Sequence, residues 1–103
     1  MIHVIATIEL NDGARQRFIQ RFRELEPKVH AEEGCIEYGA AIEMTTSLPA
    51  QEPVRDNVVM VIEKWESVEA LEKHLVSPHM QAYRQTVGDL IKGISLRVLQ
   101  PCE

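Results

Sequence analysis

NVVMVIEKWE, residues 57–66, is the stretch on which the fold turns. Its β-branched residues predict an extended strand, in which successive side chains point to opposite faces. Val58, Met60 and Ile62 then lie on one side and Val59, Val61, Glu63 and Trp65 on the other, so neither side is polar. IHVIATIEL (2–10) behaves the same way, with Ile2, Val4, Ala6 and Ile8 opposed to His3, Ile5, Thr7 and Glu9. A sheet that is apolar on both faces needs cover on both. One chain of this length supplies helices to one face only, so the pattern predicts that a second copy covers the other, making a homodimer.

The flanking segments supply those helices. From about Asp12 to Glu33, Phe18, Phe22, Leu25 and Val29 recur at helical spacing, with charges on the remaining positions. Asn11 or Asp12 is the expected cap, Gly34 the expected end, and Pro27 is expected to kink or divide the helix. A second strand is expected from Cys35 to about Glu43. The polar segment MTTSLPAQEPVRD (44–56) carries two prolines and is longer than a simple hairpin turn; such loops are lids or binding arms, or else are flexible. Ser67 caps a helix running to about Val76. Ser77-Pro78 breaks it, a further helical piece follows to about Ile91, and GISLRVLQ (93–100) closes the chain as a strand. The order β-α-β-β-α-β is that of an antiparallel, ferredoxin-like α+β fold occupying residues 1–103 as one domain.

Composition narrows the function classes. The 103 residues are 45% hydrophobic and 26% charged, with sixteen acidic and eleven basic residues and a formal charge of −5. Scattered lysines and arginines in an acidic chain argue against nucleic-acid binding, which rests on clustered cations. No apolar stretch approaches the roughly 20 residues of a membrane span, and MIHVIATIEL lacks the features of a signal peptide, so a cytoplasmic location is expected. Cys35 and Cys102 do not form the pattern of a disulfide-stapled fold and are read as free thiols. A small molecule or another protein chain is the expected partner.

HLVSPHMQAY (74–83) invites a metal reading, because it holds two histidines. Helical metal pairs lie four residues apart on one face, whereas His74 and His79 are five apart across Pro78, and no cysteine or aspartate adjoins them. No protein-bound metal is expected on that ground. Glycines are isolated and form no phosphate-binding loop. A polar and aromatic set remains: with the odd-numbered sides of the first and third strands under the helices, Thr7, Glu63, Trp65, His79 and Tyr83 would ring one cavity. His74, beside Glu72 and Lys73, is expected to be partly exposed.

EEGCIEY (32–38), VVMVIEKWES (58–67), LEKHLVSPHMQAY (71–83) and LRVLQP (96–101) resemble, in order along nearly the whole chain, the antibiotic biosynthesis monooxygenase domain family and its branch of small bacterial quinol monooxygenases. The resemblance implies ferredoxin-like dimers, described as a dimeric α+β barrel, and oxygenation of a phenolic or quinol substrate by O2 with neither flavin nor metal. Such chemistry needs a proton acceptor and a dry pocket for the ring. On this reading His79 is the base, Trp65 the wall on which the ring stacks and Glu63 the residue orienting the histidine, while Tyr38 or Tyr83 holds a quinol oxygen. Thr7 and His74 complete the expected binding set. Haem-degrading relatives share the tryptophan but carry asparagine where Thr7 stands and an iron-binding histidine near Ala82 or Tyr83; both are missing. Other relatives isomerise phosphorylated signalling sugars, which calls for a cationic pocket built from residues such as Arg55, Arg84 and Arg97. A small-molecule-binding dimer without catalysis is the alternative from a different class.

Overall fold

The computed structural model describes all 103 residues. Strands β1 (Ile2–Leu10), β2 (Cys35–Ala41), β3 (Val58–Trp65) and β4 (Ile91–Leu99) form a single antiparallel sheet in the order β2-β3-β1-β4. Helices α1 (Arg15–His30), α2 (Val68–Leu75) and α3 (Pro78–Val87) cover one face of it. β3 thus inserts between β1 and β2, which is the expected split arrangement, and the second helical layer comes in two pieces.

The core lies between the helices and one face of the sheet. Val4, Ala6, Ile8 and Leu10 of β1 point into it, together with Val59, Val61, Glu63 and Trp65 of β3 and Tyr38 of β2. In β1–β3 pairing Val4 faces Glu63, Ala6 faces Val61 and Ile8 faces Val59. Even-numbered residues of β1 therefore share a face with odd-numbered residues of β3, which corrects the expectation that the odd side of both strands is covered. Thr7 pairs with Met60 and lies on the opposite, uncovered face, away from Glu63 and Trp65. Registry between strands is a long-range property, and a change of one residue moves a side chain to the other face.

Phe18, Phe22, Leu25 and Val29 form the buried stripe of α1, as their spacing predicts. The helix begins later than expected, at Arg15, with no side-chain cap. The two candidate caps are engaged elsewhere: the Asn11 amide donates to the Asp89 carbonyl at 2.9 Å, and Asp12 accepts from Asn57 at 2.8 Å. Both bonds tie the entry of α1 to distant segments. The helix continues through Pro27, because Pro27 and the Arg23 carbonyl it leaves without a donor lie on exposed residues where water can serve. Gly34 turns the chain into β2 with φ of +86°, a left-handed conformation that costs other residues free energy. A Cβ at Gly34 would also stand 2.6 Å from the Ala70 Cβ of α2.

Ser67 accepts from the Ala70 N–H and caps α2; Ser77 accepts from the Met80 N–H and caps α3, with Pro78 at its first position. Segment 42–57 is irregular and cross-tied, with Arg55 donating to Glu43 at 3.0 Å and the Gln51 amide donating to the Met44 carbonyl at 2.6 Å. No helix is long and apolar enough to cross a membrane.

Candidate active site

The break between α2 and α3 decides the site. His74 closes α2, and Ser77 and Pro78 start α3 in a new direction with His79 in its first turn. Both imidazoles converge on Glu32, which lies in the turn between α1 and β2. A single carboxylate oxygen, Oε2, accepts from His74 Nδ1 at 2.8 Å and from His79 Nε2 at 2.7 Å. Five residues are too many for one helix face, but the spacing argument fails once the helix is broken. The expectation of a partly exposed His74 is likewise overturned, since the residue is 1% exposed. Its ring lies 4.6 Å from that of Trp65 and 5.3 Å from that of Tyr38.

Trp65 ends β3 directly beneath α2 and is fully buried. Its indole N–H donates to Glu63 Oε1 at 2.8 Å. Glu63 is therefore held by the tryptophan rather than orienting a histidine, and Glu32 does the orienting in its place. Burial raises the Glu63 carboxyl to about 7, the bond from Trp65 opposes the rise, and the charge of Glu32 adds to it. The His74 imidazole is lowered from its ordinary value because desolvation disfavours its cation more strongly than Glu32 favours it. Desolvation also pushes the Tyr38 and Tyr83 hydroxyls up, so both stay protonated.

Between the helices and the sheet lies a cavity of about 160 Å³ with a predominantly apolar lining. Phe18, Phe22, Tyr38 and Tyr83 give it aromatic walls, and Glu63, His74 and Arg84 give it polar groups. With Nδ1 on Glu32, His74 presents Nε2 as the nitrogen without a protein partner. The Tyr83 hydroxyl is buried and also has no partner in the chain. Trp65, expected to form the ring wall, is not among the lining residues of this cavity and lies against His74 and Glu63 instead. His79 is on the far side of Glu32 and lines a separate surface cleft with Arg21, Glu24 and Lys28.

Of the expected set, the structure brings Tyr38, Glu63, His74 and Tyr83 to the cavity, sets Trp65 and His79 behind it, and leaves Thr7 outside. Glu32 and the Phe18–Phe22 wall were missed. One signal for Glu32 was available: an acidic residue just beyond a helix C-terminus faces the unfavourable end of the dipole, which calls for another reason to be there. Glu32, His74 and His79 also form a possible cation-binding group, with their ligand atoms all within 4.8 Å of one another. The three arginines considered for a phosphate pocket are dispersed. Arg84 donates to the Leu75 carbonyl, Arg55 pairs with Glu43, and Arg97 stands opposite Ile5 in the β1–β4 pair.

Comparison with known proteins agrees with this architecture. The antibiotic biosynthesis monooxygenase family matches residues 1–86. The probable quinol monooxygenase YgiN of Escherichia coli K12 is 39% identical over 103 residues, covering 98% of each chain, and YgiN of Shigella flexneri matches equally. Among solved structures, Rv0793 from Mycobacterium tuberculosis superposes with a TM-score of 0.80 at 25% identity, covering 99% of this chain and 95% of that one. A crystal structure of an antibiotic biosynthesis monooxygenase shares the fold with a TM-score of 0.82 over 100% of both chains at 18% identity.

Proposed function

The chain belongs to the antibiotic biosynthesis monooxygenase family, and from that premise we propose that it oxidises a small quinol with O2 without a cofactor, using His74 as the proton acceptor. The observation that carries this reading is the Glu32–His74 pair at the cavity wall. Glu32 holds Nδ1–H at 2.8 Å, which leaves Nε2 as the basic nitrogen of a histidine that lines the pocket, and its charge stabilises the imidazolium that forms. A lowered histidine is neutral at pH 7 and ready to accept a proton. His79 gives Glu32 a second N–H and holds it in place.

Removing a quinol proton produces an electron-rich quinolate that reduces O2 directly. Over the whole reaction the ring gains one oxygen atom and the other leaves as water, so quinol and O2 give hydroxyquinone and water with no outside reductant. The second ring oxygen has two candidate partners in the unpaired Tyr83 hydroxyl and in Glu63, a carboxyl titrating near neutrality. Aromatic walls exclude water and orient the ring by edge and face contacts.

We place the activity in a cytoplasmic homodimer whose uncovered sheet faces meet. Ile5, Met60 and Ile62 on that face are only partly buried within one chain, which supports a second copy as their cover. The deciding measurement is oxygen uptake with simple hydroquinones. Catalysis should exceed autoxidation and fall by about 10²- to 10⁴-fold in His74→Gln. If quinones quench Trp65 fluorescence while oxygen uptake stays at background, the protein is a binding module and the proposal is wrong.

A further inference from the structure

The cavity is open along the sheet edge. Ile94 and Leu96 of β4 belong to its lining yet are 58% and 46% exposed, and Val98, next on the same side of the strand, is 50% exposed. Registry places these three opposite Ile8, Ala6 and Val4, whose side chains are buried beneath the helices. β4 is the outer strand of the sheet, and its packing is chiefly against β1 rather than against a helix. Edge strands ordinarily turn polar or charged side chains to water. Here three apolar residues at alternate positions form a strip that begins at the cavity mouth and leads away from it.

Two magnitudes bear on what the strip is for. A cavity of about 160 Å³ is below the roughly 300 Å³ at which pockets begin to enclose whole drug-sized ligands, so it has room for a ring and little more. Any substituent of length must leave through the mouth. From Ile94 to Val98 the strand advances about 13 Å, the span of an extended chain of roughly ten carbons. Three half-exposed side chains are also far less than the ~800 Å² per partner of a stable protein interface.

We propose that the substrate is a ring-alkylated quinol whose hydrophobic chain leaves the cavity past Ile94 and Leu96 and lies along β4 as far as Val98. This rests on the quinol reading above and adds the substituent to it: the ring sits among Phe18, Phe22 and Tyr83, and the strip selects the chain. A methylene wholly removed from water gains about four-fold in affinity, and one covered on a single side about two-fold.

The test is a series of 2-alkyl-1,4-naphthoquinones and their quinols with chains of zero to twelve carbons, used with the full-length protein. Kd is read from Trp65 quenching and KM from oxygen uptake. Kd should fall about two-fold per carbon, roughly 60-fold in all between two and eight carbons, and level off near ten. Val98→Gln lies outside the cavity and should shorten the chain length at which affinity levels off, without altering the chain-free compound's Kd or kcat. A Kd independent of chain length, with the chain-free quinol turned over normally, would overturn the inference and leave the quinol reading standing. So would a Val98→Gln variant with an unchanged chain-length response, or one whose sedimentation shows that the strip is covered by a second copy. Failure of every ring compound to bind or consume oxygen would sink both.

Discussion

Replacing Glu63 by glutamine should stabilise the protein increasingly as pH rises above 4.5, with most of the gain reached by about pH 7. Glu63 is 5% exposed, accepts the Trp65 indole N–H at 2.8 Å, and titrates at about 7 in the fold against 4.5 in its ordinary state. Between those values the folded chain holds a proton that the unfolded chain has released, so raising the pH favours unfolding. The stability in question is whole below pH 4.5 and is lost as pH rises through 7. Its full size is about 3 kcal/mol at 1.36 kcal/mol per pH unit. Glutamine keeps an oxygen for the indole and cannot ionise, so it removes the loss; any cost of seating the amide is the same at every pH. His74 contributes with the opposite sign, since a lowered histidine loses stability on acidification, and this term cancels between the two proteins. Urea denaturation followed by Trp65 fluorescence at pH 5 and 8.5 should show the Glu63→Gln advantage growing by about 2.5 kcal/mol. An advantage that stayed constant within about 0.5 kcal/mol over that range would show that Glu63 is not a buried carboxyl of raised affinity for its proton.

Four further outcomes are expected. The acid limb of kcat/KM should lie below pH 6.5, and Glu32→Gln should move it lower still while reducing kcat, because the carboxylate that favours the His74 cation is gone. Dialysis against EDTA should leave oxygen uptake unchanged, whereas loss of activity restored by one added metal would assign Glu32, His74 and His79 to a metal centre instead. Gly34→Ala should cost more than about 1–3 kcal/mol in urea denaturation, since a positive φ is combined with a 2.6 Å approach to the Ala70 Cβ. Sedimentation at micromolar concentration should give a dimer that Ile62→Lys dissociates, and a wild-type monomer would refute the covered-face reading.

Element types were legible because they depend on local periodicity: the Phe18–Val29 stripe, the two-sided apolar strands and the capping serines each act over a few neighbouring residues. The likeness of EEGCIEY and HLVSPHMQAY to known motifs pointed to the right family. The roles within the site were less legible. Thr7 was placed by parity, and parity depends on how β1 registers with β3. Trp65 was read as a wall, and its depth behind His74 follows from α2 packing over the end of β3.

The amino-acid order by itself determined the β-α-β-β-α-β string, the apolarity of both sheet faces and the break at Ser77-Pro78. Tertiary structure alone decided that the break swings His74 inward to Nδ1 contact with Glu32, 42 residues away in the chain. It also decided that Glu63 loses water enough to titrate near 7 and that Ile94, Leu96 and Val98 of β4 are left half-exposed within one chain. The physical reason is range. Propensity and capping are settled within a turn or a strand, whereas desolvation, strand registry and the meeting of a carboxylate with two imidazoles exist only once distant segments have been packed together.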